Sequence, residues 1–148
     1  MGSYSIEAAA GLRLWNMILS MNVEYAMVKQ FTDPNDVENS NTQGTLKLIN
    51  PVFGIEFGAL RLFANIPVSI SSEYVLDQKN SLDQEVIYKD AKNIGGQIHL
   101  MTGAYSYWGL GYQKISFEKI SSGGTEAEPT DATKLNIQTF SILYGFSY

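Results

Sequence analysis

Phe140-Ser141-Ile142-Leu143-Tyr144-Gly145-Phe146-Ser147-Tyr148 ends the sequence with an aromatic or aliphatic side chain at every second position. Period two is the repeat of a β-strand, whose successive side chains point to opposite faces. One face of this segment is apolar, and the other carries Thr139, Ser141, Leu143, Gly145 and Ser147.

The same two-faced pattern recurs toward the N-terminus. A sixth strand sets Trp108, Leu110 and Tyr112 against Gly109, Gly111 and Gln113, with a register slip expected before Ile115 and Phe117. A fifth sets Ile94, Gly96, Ile98 and Leu100 against Gly95, Gln97 and His99. The fourth sets Leu62, Ala64, Ile66, Val68 and Ile70 against Arg61, Asn65, Ser69, Ser71 and Glu73, with Pro67 removing a ladder donor. The third sets Phe53, Ile55 and Phe57 against Gly54, Glu56 and Gly58, after a bulge or kink at Asn50-Pro51. The second sets Leu19, Met21, Val23, Tyr25 and Met27 against Ser20, Asn22, Glu24 and Ala26. The first sets Tyr4, Ile6, Ala8, Ala10, Leu12 and Leu14 against Ser5, Glu7, Ala9, Gly11 and Arg13. Seven strands result.

Tight turns fall near Asn16-Met17, Gly58-Ala59 and Gly103-Ala104. Long acidic segments run from Thr32 to Gly44, Asp77 to about Tyr88, and Ser121 to Thr133. Turns and long segments alternate every ~22 residues, which places all long loops at one end of the strands. The 148 residues form one domain, with Met1-Gly2-Ser3 read as an initiator and cloning remnant before a mature domain.

Charged residues make up 17% of the chain, below the ~25% of a typical soluble domain. A net charge of -5 leaves no basic patch for nucleic acid. The absence of cysteine removes disulfides and thiolate chemistry. No apolar run reaches the ~18–20 residues of a membrane helix, and no charged n-region followed by an apolar stretch marks a signal peptide. A β-barrel crossing remains open.

Alternation alone leaves two senses. In a soluble barrel or sandwich the apolar rows point in and the charges meet water. In a membrane barrel the apolar rows meet lipid and the charges fill the lumen. The length of the rows, the one-ended long loops and the aromatic C-terminus favour the second.

The C-terminal Phe140–Tyr148 pattern resembles the last strand of bacterial outer-membrane barrels, which their assembly machinery recognises. With the hairpin beat, nearly the whole chain resembles the small eight-stranded OmpA/OmpX-like barrels. The resemblance implies an all-β, antiparallel up-and-down transmembrane barrel in the bacterial outer membrane, with lipid and the assembly machinery as partners. It implies a structural, surface-interaction or narrow-pore role; the alternative is a soluble barrel holding an apolar ligand inside. The expected lumen network is Glu7, Arg13, Glu24, Glu56, Arg61, Glu73 and Lys114. The expected aromatic girdle is Tyr105, Tyr107, Trp108, Tyr112, Tyr144, Phe146 and Tyr148. Seven strands depart from the family's even count, so closure calls for an eighth, from residues outside this sequence, from a strand hidden in one of the long loops, or from a second molecule.

No catalysis, cofactor or metal is expected. The single histidine, His99, reads as a lumen residue, because Met101 stands where the related deacylase pattern has Ser. Glu7, Glu24, Glu56 and Glu73 alternate with Arg13 and Arg61, which suits charge pairing better than a glycosidase pair. Asp33-Pro-Asn-Asp-Val-Glu38 lacks the central Gly and the spacing of a calcium loop. Gly123-Gly124 lacks the strand-to-helix context of a phosphate loop.

Overall fold

The structure, a computed structural model, describes residues 4–30, 42–77, 80, 82–131 and 133–147. The expectations placed on Met1–Ser3, on Thr32–Asn41 and on Tyr148 lie outside these residues. The described chain contains no helix. Its strands are β1 (Tyr4–Leu14), β2 (Met17–Gln30), β3 (Thr42–Phe57), β4 (Leu60–Asn65), β5 (Ser71–Leu76), β6 (Val86–Met101), β7 (Ser106–Ser122), β8 (Thr125–Ala127) and β9 (Asn136–Phe146). They form one antiparallel sheet in which β4 and β5 together bridge β3 to β6, and β8 and β9 both pair with β7. Each of these couples makes one pass, so the sheet runs through seven passes in chain order.

Short turns join the strands at one end. Trp15-Asn16 and Gly58-Ala59 are two-residue turns, with Trp15 and Gly58 left-handed at φ 53° and 59°. The first lies one residue before its expected place. Strands extend into the segments expected to be loops: 42–44 open β3, 86–88 open β6, Ser121 and Ser122 end β7, and 125–127 are β8. Gly123 and Gly124, with φ 58° and 83°, make the turn between the last two.

The Asn50-Pro51 kink is absent. Pairing of β3 with β2 runs unbroken from Met17↔Ile55 to Gln30↔Thr42. The interruption falls in the next pass, between Asn65 and Ser71, where the flanking registers set Pro67 against Asn50 on one side and Asn93 on the other. Pro51 and Pro67, neither with an N–H, share this stretch, so a regular ladder fails there. Side chains take its place: Ser69 Oγ donates to the Ala91 carbonyl at 2.6 Å, and the Ala91 N–H donates to Ser72 Oγ at 2.6 Å. Across the break the inward row changes from Arg61, Phe63 and Asn65 to Ser72 and Tyr74.

The expected slip before Ile115 is also absent. Pairing of β7 with β9 continues from Ser106↔Phe146 to Ser116↔Asn136 without a shift. Ile115 and Phe117 follow Gly109, Gly111 and Gln113 on the inward row and are buried. What changes is the polarity of the two faces. Toward the turns, the outer row is apolar and exposed: Leu12, Leu19, Phe53, Leu62, Ile98, Leu110 and Ile142 among others. Toward the long loops, the inner face is apolar, and Ala26, Val28, Leu46, Leu48, Tyr74, Tyr88, Ala91, Ile115, Phe117 and Ile137 form a hydrophobic core. There the outer row carries Lys47, Glu73, Lys92, Lys114 and Gln138.

The ring is not closed among the described residues. β1 pairs with β2 and β9 with β7, and no ladder joins β1 to β9. Both edge strands are 11 residues long. Both run from the loop end to the turn end.

Candidate functional site

The curled sheet brings polar side chains from distant passes to a common interior at the turn end. Glu7, Arg13, Glu24, Glu56 and Arg61 all lie on this inner face. Glu56 sits between two guanidinium groups: Arg61 Nε at 2.6 Å from Oε2, and Arg13 Nη2 on Oε1. Arg61 also donates to Ser147 Oγ at 2.6 Å, spanning from β4 to the residue after β9.

Glu7 and Glu24 face each other in register on β1 and β2. Gln97 Nε2 reaches across the interior from β6 to Glu7 Oε2 at 2.8 Å. Gln113 Nε2, on β7, donates to both oxygens of Glu24 at 3.1 and 3.0 Å. These bonds hold the curl of the sheet, since each joins strands far apart in its order.

Two expected members of the network lie elsewhere. Glu73 points outward opposite Lys47 and Lys89, because the inward row changes parity across the β4–β5 break. Lys114 lies on the outer row between Ile94 and Gln138, because β7 keeps its register. Beyond the apolar belt, exposed pairs decorate the loop end: Lys89–Glu126 at 2.8 Å, Lys119–Asp90 at 2.6 Å, and Lys92–Glu118. The hydrogen bond from Lys89 holds the Glu126 carboxyl below its ordinary range.

Of the expected girdle, Tyr105, Trp108, Tyr112, Tyr144 and Phe146 are exposed, Trp108 and Tyr112 on the outer row. Trp108 packs on its register partner Tyr144 with ring centroids 5.0 Å apart. Tyr107 turns inward instead. Its ring stacks on His99 at 4.0 Å, and the tilted ring of Phe63 also meets His99 at 4.7 Å. Glycines make room for these rings: a Cβ at Gly145 would lie 2.7 Å from the Tyr107 hydroxyl, and one at Gly54 2.6 Å from the Phe63 ring. His99 Nε2 is 2.8 Å from Gln97 Oε1, which ties it to the Glu7 cluster.

Two cavities of about 500 and 560 Å³ occupy this interior, and Glu7, Gln97, Tyr107 and Phe146 line both. The larger follows the opening between the two edges, with Tyr4 and Ser5 on one side and Phe140–Phe146 on the other. Of the amides that organise the site, Gln97 is expected from sequence to point into a polar interior, and it does; Asn22, Asn50, Asn93 and Gln113 are not read as site residues, although Asn22 and Gln113 stand on the polar rows of their strands. Among the described residues no three His, Cys, Asp or Glu side chains gather as a metal site. No family model matches the chain, and no curated protein or solved structure is significantly similar to it.

Proposed function

We propose that the chain is the body of a small outer-membrane β-barrel with a structural or surface-interaction role, its turn-end belt covered by lipid. The observation that carries this reading is the sense of the faces. Monomeric soluble proteins rarely expose a continuous apolar patch beyond a few hundred Å². Here the turn-end half exposes apolar side chains on every pass while Glu7, Glu24, Glu56 and Arg61 point inward. Trp108, Tyr144 and Phe146 near the turns suit one membrane interface. Lys47, Lys92 and Lys114 suit the other.

A soluble container for an apolar ligand fits less well. Its interior would be apolar where this one is charged, and the apolar part here is filled by Tyr74, Tyr88, Phe117 and their neighbours. That filling also argues against a wide pore.

Lipid requires both edges to be paired. Because β1 and β9 run in the same direction, one strand running from the turn end to the loop end is antiparallel to both. A second copy in the same orientation would bring only parallel seams, so the fitting partner is a single strand from outside this sequence. The reading is tested by purification. The account expects a protein that needs detergent and migrates faster unboiled than boiled; a monodisperse monomer without detergent contradicts it.

A further inference from the structure

We propose that the opening between β1 and β9 is an acceptor for one β-strand of another polypeptide, which enters antiparallel to both edges and closes the ring. Only the apolar outer row assigned to this guest rests on the proposed lipid setting. Each edge strand is 11 residues long, and each lacks a ladder on one side among the described residues. On β9 the open side is defined. The Ser147 N–H donates to the Tyr105 carbonyl at 2.7 Å, toward β7. Backbone groups alternate sides along a strand, so those of Phe140, Ile142, Tyr144 and Phe146 point into the opening. The outer rows show the missing neighbour. Ile6 and Phe140, on the two edges, are 75% and 84% exposed, against 39% and 38% for Phe53 and Leu62, which have a strand on either side.

The opening stands ready without its occupant. Bonds from Gln97 to Glu7, Gln113 to Glu24 and Arg61 to Ser147 hold the curl from within the seven passes. Behind the opening lies the cavity of about 560 Å³, with Tyr4 and Ser5 at one edge and Phe140–Phe146 at the other. A guest therefore needs no covalent link to this chain, and main-chain hydrogen bonds on both sides supply its affinity, as in strand addition to a sheet edge. A second copy is excluded by strand direction, since its seams would be parallel. The guest runs from the turn end to the loop end. Its inner row meets small side chains, Ser5 and Ala9 on one edge and Thr139 and Ser141 on the other, in cavities that Gln97 and Tyr107 also line. Long polar or aromatic side chains fill that space. Its outer row continues the belt between Leu12 and Ile142 and is apolar.

The test adds to the detergent-solubilised chain a synthetic peptide as long as the 11-residue edges, alternating leucine with glutamine and tyrosine. Native mass spectrometry should show one peptide per chain, and none of a scrambled peptide of the same composition. N-methylation of alternate residues blocks the N–H groups on one side of the peptide at a time. Either methylated set should weaken binding about tenfold or more, since each seam then loses several hydrogen bonds. Ile142→Pro removes an N–H from the open side of β9 and none from its ladder with β7, so it should weaken binding and leave the fold intact. If that variant does not fold, the methylated peptides on the wild type decide. Tolerance of one methylated set would mean that the peptide sits on a single edge, and overturns the proposal. So does a folded chain that takes up no free peptide, one that takes the strand only when it is fused to the chain, or one that fills its edges by dimerising. A chain that needs detergent yet takes up no peptide leaves the lipid reading standing. Uptake by a monomer that needs no detergent keeps the acceptor and refutes the lipid reading.

Discussion

The turn-end half of the sheet is built inside out, and the loop-end half in the ordinary sense. β7 carries both in one uninterrupted strand. Trp108, Leu110 and Tyr112 face out over Gly109, Gly111 and Gln113; a few residues on, Lys114 and Ser116 face out over Ile115 and Phe117. β3 repeats the change, from Phe53 and Ile55 outside to Leu46 and Leu48 inside. The lesson is that period two reports a strand, while the sense of the alternation reports which medium lies on each side. On the lipid reading, the change marks the level where bilayer gives way to water.

The largest expected contrast is between two phenylalanines. Phe117, 3% exposed in the loop-end core, should cost about 3–5 kcal/mol on truncation to Ala, as a buried aromatic does. Phe140, 84% exposed on the belt, should cost far less in detergent. Chemical unfolding of the two variants checks this, and equal losses would break the division into halves.

A charge should reverse the ranking of faces in the turn-end half. Ile98→Arg, on the outer row, should cost roughly 2–4 kcal/mol in a bilayer near its midplane, whereas the neighbouring Gln97→Arg should be milder because it enters a polar interior. Refolding equilibria in lipid vesicles measure both, and matching penalties would contradict the two-faced assignment.

A smaller effect sharpens the account of the turn-end interior, where rings lie on glycines instead of packing in a hydrophobic core. Gly145→Ala would place a Cβ 2.7 Å from the Tyr107 hydroxyl and should cost about 1–3 kcal/mol by overpacking. Near-ultraviolet circular dichroism should report the disturbed Tyr107–His99 stack. An unchanged spectrum and stability would show that the ring moves aside freely.

The strands and their tight turns were legible in the sequence because alternation and turn residues are local. The inward positions of Glu7, Arg13, Glu24, Glu56 and Arg61 followed from parity within single strands. Glu73 and Lys114 were misplaced for two reasons. The parity change across Asn65–Ser71 depends on Pro51 and Pro67 meeting across a sheet, which no local pattern shows. The reversal of polarity at Ile115 imitates a slip when one strand is read alone. Tyr107 was misplaced because its position beside the turn outweighed its parity, which sets it on the inward row of Gly109, Gly111 and Gln113; Gly145 on the neighbouring strand leaves the space for its ring. The asparagines were passed over because their importance lies in what they touch on distant passes.

The central claim, that the reversal of polarity along β7 is the edge of a bilayer, has a direct test. The chain has no cysteine, so single cysteines at Trp108, Leu110, Tyr112, Lys114 and Ser116 can each carry a spin label in vesicle-reconstituted protein. The account predicts labels at the first three to be accessible to oxygen and shielded from a water-soluble nickel complex, with the preference reversed at Lys114 and Ser116. Labels equally accessible to the nickel complex at all five positions would contradict it.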